Sequence, residues 1–152
     1  MRIKQYALFM LLFSTVGGCS NRGELPKRAR LQQRTEFKIT LSSGGGFTGM
    51  YSGYHLYASG LLEAWQKRAA GGDTLLWMQQ VDPERIERIR AQLAASGALD
   101  KRYDGAGNMT VIVNYATADT VYRWSWDRGR EAPTELAMWY QRTRRYCVEN
   151  RP

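Results

Sequence analysis

The chain has 152 residues, a formal net charge of +8 and 43% hydrophobic residues, enough for one domain with a real core. It contains a single histidine and two cysteines, Cys19 and Cys147, with no Cys-x-x-Cys pair. That inventory excludes the common His- and Cys-rich zinc sets, and neither a metal nor a cofactor is expected.

Arg2 and Lys4 begin the chain with positive charge. Tyr6 to Val16 is an apolar run interrupted only by Ser14 and Thr15, and Gly17-Gly18-Cys19 closes it. A charged, then apolar, then small-residue order is that of an export signal. The run falls well short of the roughly 20 residues that a permanent spanning helix requires. With a cysteine at the cleavage point, Val16-Gly17-Gly18-Cys19 resembles a bacterial lipoprotein signal. The resemblance implies removal of residues 1–18 and acylation of Cys19, including diacylglycerol on its thiol. Two acyl chains already anchor a protein stably. Ser20 is not the aspartate that tends to hold such proteins in the inner membrane. The resemblance therefore implies a cell-envelope location on the periplasmic face of an outer membrane, where the cell has one.

Processing removes Arg2 and Lys4. Residues 19–35 still carry Arg22, Lys27, Arg28, Arg30 and Arg34 against Glu24 alone, with Pro26, Gln32 and Gln33 and few apolar side chains. This composition reads as a basic, flexible tether from membrane to domain. It suits either a plain soluble linker or contact with anionic headgroups, where each charge contributes about 1 kcal/mol. Nucleic acid is not expected as a partner in that compartment.

Residues 36–152 read as one domain. Phe37, Ile39 and Leu41 alternate with Lys38 and Thr40, a half-buried strand that Ser42 to Gly46 is expected to break. Further strands are expected over Met50 to Tyr57, Leu61 to Gln66 and Thr74 to Val81, joined by turns at Ala58-Ser59-Gly60 and at Ala69 to Asp73. Asp82 caps a helix that Pro83 opens, that Ile86, Ile89 and Leu93 bury, and that Gly97 ends. Residues 100–108 form a loop. Val111, Val113 and Tyr115, then Tyr122, Trp124 and Trp126, alternate as a second hairpin with a strongly aromatic face. Pro133 opens a last helix, whose inner stripe is Leu136, Trp139, Tyr140, Thr143 and Cys147. Once Cys19 is acylated Cys147 stands alone, and its place on that stripe predicts a buried, inert thiol. The expected fold is α+β: an antiparallel sheet of about six strands with two helices packed on one face.

Residues suited to catalytic chemistry are few. His55 has no second histidine to work with and is expected to face solvent or a tyrosine. Glu84 and Glu87 sit among Arg85, Arg88 and Arg90 as surface ion pairs. No Gly-x-Ser-x-Gly occurs. The distinctive segment is Gly44, Gly45, Gly46, Phe47, Thr48 and Gly49. A phosphate loop would continue with Lys-Ser or Lys-Thr into a helix, whereas here Met50-Tyr51 opens a strand. Two readings remain: a tight connection, or a partner-binding loop that presents Phe47 on adaptable backbone.

A strand, Gly45-Gly46-Phe47-Thr48-Gly49, a strand, then a helix, a hairpin and a final helix is similar to the emfourin-type proteins, small bacterial inhibitors of thermolysin-like metalloproteases. The likeness covers residues 37–57 and 82–147, with Ser59 to Val81 as an insertion. It implies a non-enzymatic role in which Gly44 to Gly49 engages an envelope protein partner, a protease in the inhibitor-like case, through Phe47 and Thr48. The alternative is a structural or glycan-binding envelope lipoprotein. That reading needs two or more exposed aromatics, although most of the five tryptophans are expected in the core.

Overall fold

The alternation that starts at Phe37 produces the strand around which the sheet assembles. The structure, a computed structural model, describes residues 36–68, 71–129 and 134–152. The signal at 1–18, Cys19 and the tether at 19–35 lie outside the described residues, as does Pro133. The strands are β1 (Phe37–Gly45), β2 (Met50–Tyr57), β3 (Leu61–Arg68), β4 (Thr74–Gln80), β5 (Met109–Thr117) and β6 (Val121–Asp127). Helix α1 (Pro83–Ala95) precedes β5, with a 3-10 turn at Ala98–Asp100, and α2 (Thr134–Glu149) follows β6. The sheet order is β4-β3-β2-β1-β5-β6, and every adjacent pair is antiparallel.

The register explains the core. Ile39 lies opposite Leu56 and Tyr115, Leu41 opposite Tyr54 and Val113, and Leu56 opposite Leu62. Val113 faces Trp124, and Val111 faces Trp126. Residues directly opposite share a face of the sheet, so these side chains form one apolar surface. Ile86, Ile89 and Leu93 of α1 and Leu136, Trp139 and Cys147 of α2 join that same cluster. Fully burying a side chain such as Ile39, Leu56 or Leu93 contributes about 1.5–3 kcal/mol each. The helices thus cover one face, as the apolar spacing predicts.

Polar groups are fitted to this core at its seams. The indole of Trp124 donates to the carbonyls of Ala98 and Lys101, both at 3.0 Å, fixing the segment after α1 against β6. Trp139 donates to the carbonyl of Ile89 at 3.0 Å and joins the two helices. Asp82 accepts from the Glu84 amide at 2.9 Å and caps α1, with Pro83 in the first turn. Gly97, at φ 68°, ends the helical stretch in the left-handed conformation that glycine adopts without steric cost.

Two expectations need correction. Ser42 to Gly45 does not break β1; it continues the strand, with Gly44 paired to Tyr51 and Thr110 and Gly45 to Met50 and Met109. Pairing on both sides outweighs the low strand propensity of glycine, which measures packing context more than backbone preference. Residues 100–108 are also more than a connection. The Ser125 amide donates to the Tyr103 carbonyl and the Gly105 amide donates to the Ser125 carbonyl, each at 2.9 Å, so this segment covers the edge of β6. Among the described residues the opposite edge strand, β4, has no such cover, and Leu75, Leu76 and Met78 are exposed there.

Cys147 lies at the bottom of the helix–sheet seam with no exposed surface. Burial pushes its thiol up to about 12 from the ordinary 9.0. Burial likewise raises Tyr54, Tyr140 and Tyr146 above their ordinary 10.0. Each group holds its proton more tightly folded than unfolded. Their contribution is complete below the unfolded values and is lost as pH rises through the folded ones. The urea midpoint should therefore hold at about pH 8 and fall markedly by about pH 11. A bulky thiol reagent should modify Cys147 only on the unfolding timescale; immediate labelling of the folded protein would contradict the assignment.

Candidate functional site

The glycine segment resolves into a paired base and a short tip. At the base, a Cβ on Gly44 would stand 2.2 Å from the Met50 carbonyl oxygen and 2.8 Å from the Tyr51 ring. Only glycine permits that approach. Gly45 has φ 112°, a conformation that residues with a side chain rarely adopt. The candidate loop Gly44 to Gly49 therefore narrows to Gly46, Phe47, Thr48 and Gly49, with Gly44 and Gly45 as strand.

The tip is tied down at both ends. The Gly46 amide donates to the Asn108 carbonyl, anchoring it to the segment before β5. The Gly49 amide donates to the Gly46 carbonyl at 3.2 Å, and the Met50 amide donates to the Thr48 hydroxyl at 3.4 Å. Between these ties Phe47 projects with 107% of its reference exposure. An aromatic ring wholly in water on a hydrogen-bonded turn gains nothing from the fold. Its burial is available to a partner, at little conformational cost.

Beside the tip, the helix-covered face of the sheet is incompletely filled. Ser43, on β1 just before the paired glycines, lines two open grooves of about 760 and 520 Å³ that flank α2. Tyr140, Arg144 and Val148 line both. The sequence places Tyr140 on the inner stripe of α2, with Arg144 and Val148 following at four-residue spacing. No local signal joins them to Ser43, which reaches them through sheet pairing.

The opposite face of the sheet carries a polar–aromatic cluster. His55 is 8% exposed and stacks on Trp65, with centroids 5.3 Å apart. Its Nδ1 lies 3.1 Å from the Thr40 hydroxyl and its Nε2 lies 3.9 Å from Asp73. The Tyr57 hydroxyl donates to Glu63 at 2.8 Å. His55 does meet a tyrosine edge, that of Tyr57, as expected. Its stacking and polar partners were not foreseen, because Thr40, Trp65 and Asp73 come from three other segments. Among the described residues no group of three or more His, Cys, Asp or Glu side chains is arranged to hold a metal. None of the five tryptophans is exposed; four are buried and Trp77 is half-buried.

No protein-family model matches the chain, and no curated protein matches it at a significant level. No helix among the described residues is long and apolar enough to cross a membrane.

Proposed function

We propose that this chain is a lipid-anchored, non-enzymatic envelope protein that binds a protein partner through the β1–β2 hairpin tip. Phe47 is the anchor and Thr48 the adjoining contact. The observation that carries this reading is the full exposure of Phe47 on a turn whose base admits only glycine at Gly44. Interface energy concentrates in a few aromatic and arginine anchors, and a pre-ordered aromatic of this kind has that character. The emfourin-like order of elements around Gly45-Gly46-Phe47-Thr48-Gly49 supports a thermolysin-like metalloprotease as the partner class and an inhibitor-like role. A sugar-stacking platform has less support, since it would draw on exposed tryptophans and the described surface presents none.

Lipid anchoring rests on Val16-Gly17-Gly18-Cys19. Replacing Cys19→Ser should abolish incorporation of labelled palmitate and leave residues 1–18 uncleaved; a variant that labels and matures normally would remove the anchor from this account. Phe47→Ala should leave the melting temperature within about 1 °C of the parent, because the ring makes no core contact. The same variant should weaken capture of the envelope partner by about 2 kcal/mol, the scale of a binding hot spot. A large drop in melting temperature, with capture falling only in proportion, would assign Phe47 to architecture.

A further inference from the structure

The grooves beside the tip carry positive charge that no ion pair among the described residues neutralises. Tyr140, Arg144 and Val148 recur at four-residue spacing and form one ridge of α2, which separates the two grooves. Arg128 and Arg145 line the larger groove, and Arg151 lines the smaller. Among the described residues that line them, neither groove has an aspartate or a glutamate. Among the described residues, the ion pairs run to Asp73, Asp82, Glu84 and Glu87, and none reaches these four arginines.

The hydroxyls of this region converge with that charge. The Tyr140 hydroxyl faces that of Ser43, and Arg144 and Arg128 both lie close enough to oppose the effect of burial on it. Arg144 and Arg151 act in the same way on Tyr54. Arg144 thus shares a groove wall with Tyr54 and the buried Tyr140, with no carboxylate among the described lining residues. A guanidinium offers a planar fork of donors that matches a carboxylate, and neighbouring hydroxyls can complete the acceptor's hydrogen bonds. Met138 and Val148 add half-exposed apolar surface to the same walls. A free anion would fill only part of one groove. An extended chain with acidic and apolar side chains could cross the ridge and use both.

We propose that the double groove around Arg144 binds an acidic, partly apolar peptide segment of the protein partner, its carboxylates meeting Arg144, Arg128 and Arg151 and its apolar side chains meeting Met138 and Val148. The proposal rests on the reading of this chain as a protein-binding domain, and it adds the chemistry of the segment bound. The groove lies at the tip end of the sheet: Ser43 pairs with Val111, and the Arg128 amide donates to the Met109 carbonyl at 2.7 Å, next to Gly45. One partner can therefore meet Phe47 and the groove together, and two linked contacts reinforce each other through effective concentration.

The test is fluorescence anisotropy on the full mature chain in detergent. The probe is a fluorescein-labelled peptide alternating Glu and Leu, compared with the same peptide alternating Gln and Leu. The acidic peptide should bind roughly tenfold or more tightly than the neutral one, and its affinity should fall as salt screens the arginines. Arg144→Gln should weaken it by roughly tenfold. Arg123→Gln removes the same charge from an exposed site outside both grooves and should leave binding unchanged. Arg128→Gln, on an exposed turn, should act in the same direction as Arg144→Gln and keeps the test decisive if the helix variant does not fold. Equal binding of the two peptides, equal loss in the Arg144 and Arg123 variants, or full displacement by equimolar glycerol phosphate would each overturn the proposal. The last result would mark a headgroup-type anion site. The peptide assay does not involve Phe47, so its failure removes the groove and leaves the tip reading to the partner-capture experiment.

Discussion

β1 is hydrogen-bonded to a neighbour on each side, to β5 from Phe37 to Gly45 and to β2 from Lys38 to Gly45, and the other features follow from that double pairing. Its inward side chains, Ile39 and Leu41, place the centre of the core. Because the pairing continues through Gly44 and Gly45, the chain leaves the sheet only at Gly46, already held by Asn108. A turn with a free base would be a mobile loop. This one starts from the best-supported strand of the sheet, so Phe47 is presented on a fixed element. Binding through a fixed element avoids much of the ordering entropy that a loose loop would lose.

The distribution of polar groups divides the sheet into two different faces. On the face opposite the helices, the Tyr57 hydroxyl donates to Glu63 and His55 stacks on Trp65, and buried polar groups matched in this way are costly to disturb. On the helix side near the tip, arginines line open grooves with no acidic partner among the described residues. Exposed like charges held close together destabilise a fold slightly, though salt and water screen them. Their gathering beside Ser43 and Tyr140 contributes no evident stability, and this is why that side, and not the His55 face, carries the binding proposal.

Much of the architecture was legible because it depends on local periodicity. Ile86, Ile89 and Leu93, bounded by Asp82 and Gly97, mark α1 within a residue or two, and the alternation in 111–126 marks the second hairpin. The inner stripe read from Leu136 to Cys147 is the one observed. What failed was local reasoning about glycine: Ser42 to Gly45 looks like a break, yet two neighbouring strands enforce its extension. The position of β5 beside β1, and hence the meeting of Ser43 with Arg128 and Arg144, was not legible at all. It depends on how the chain crosses the sheet through α1, a choice that no spacing along the sequence encodes. The same holds for His55, whose partners Thr40 and Asp73 are distant in sequence. Phe47 was legible because a lone aromatic among glycines can join no stripe of either period.

The central claim is that the hairpin tip is where another protein meets this chain. It is tested most directly by photocrosslinking in the cells that make the protein, with a benzophenone side chain placed at position 47 of the full-length chain. Val121, also well exposed but in the turn region at the other end of β5 and β6, serves as the comparison site. The account predicts one discrete protein adduct from position 47 and none of that mass from position 121. The same adducts from both positions, or none from position 47, would contradict it.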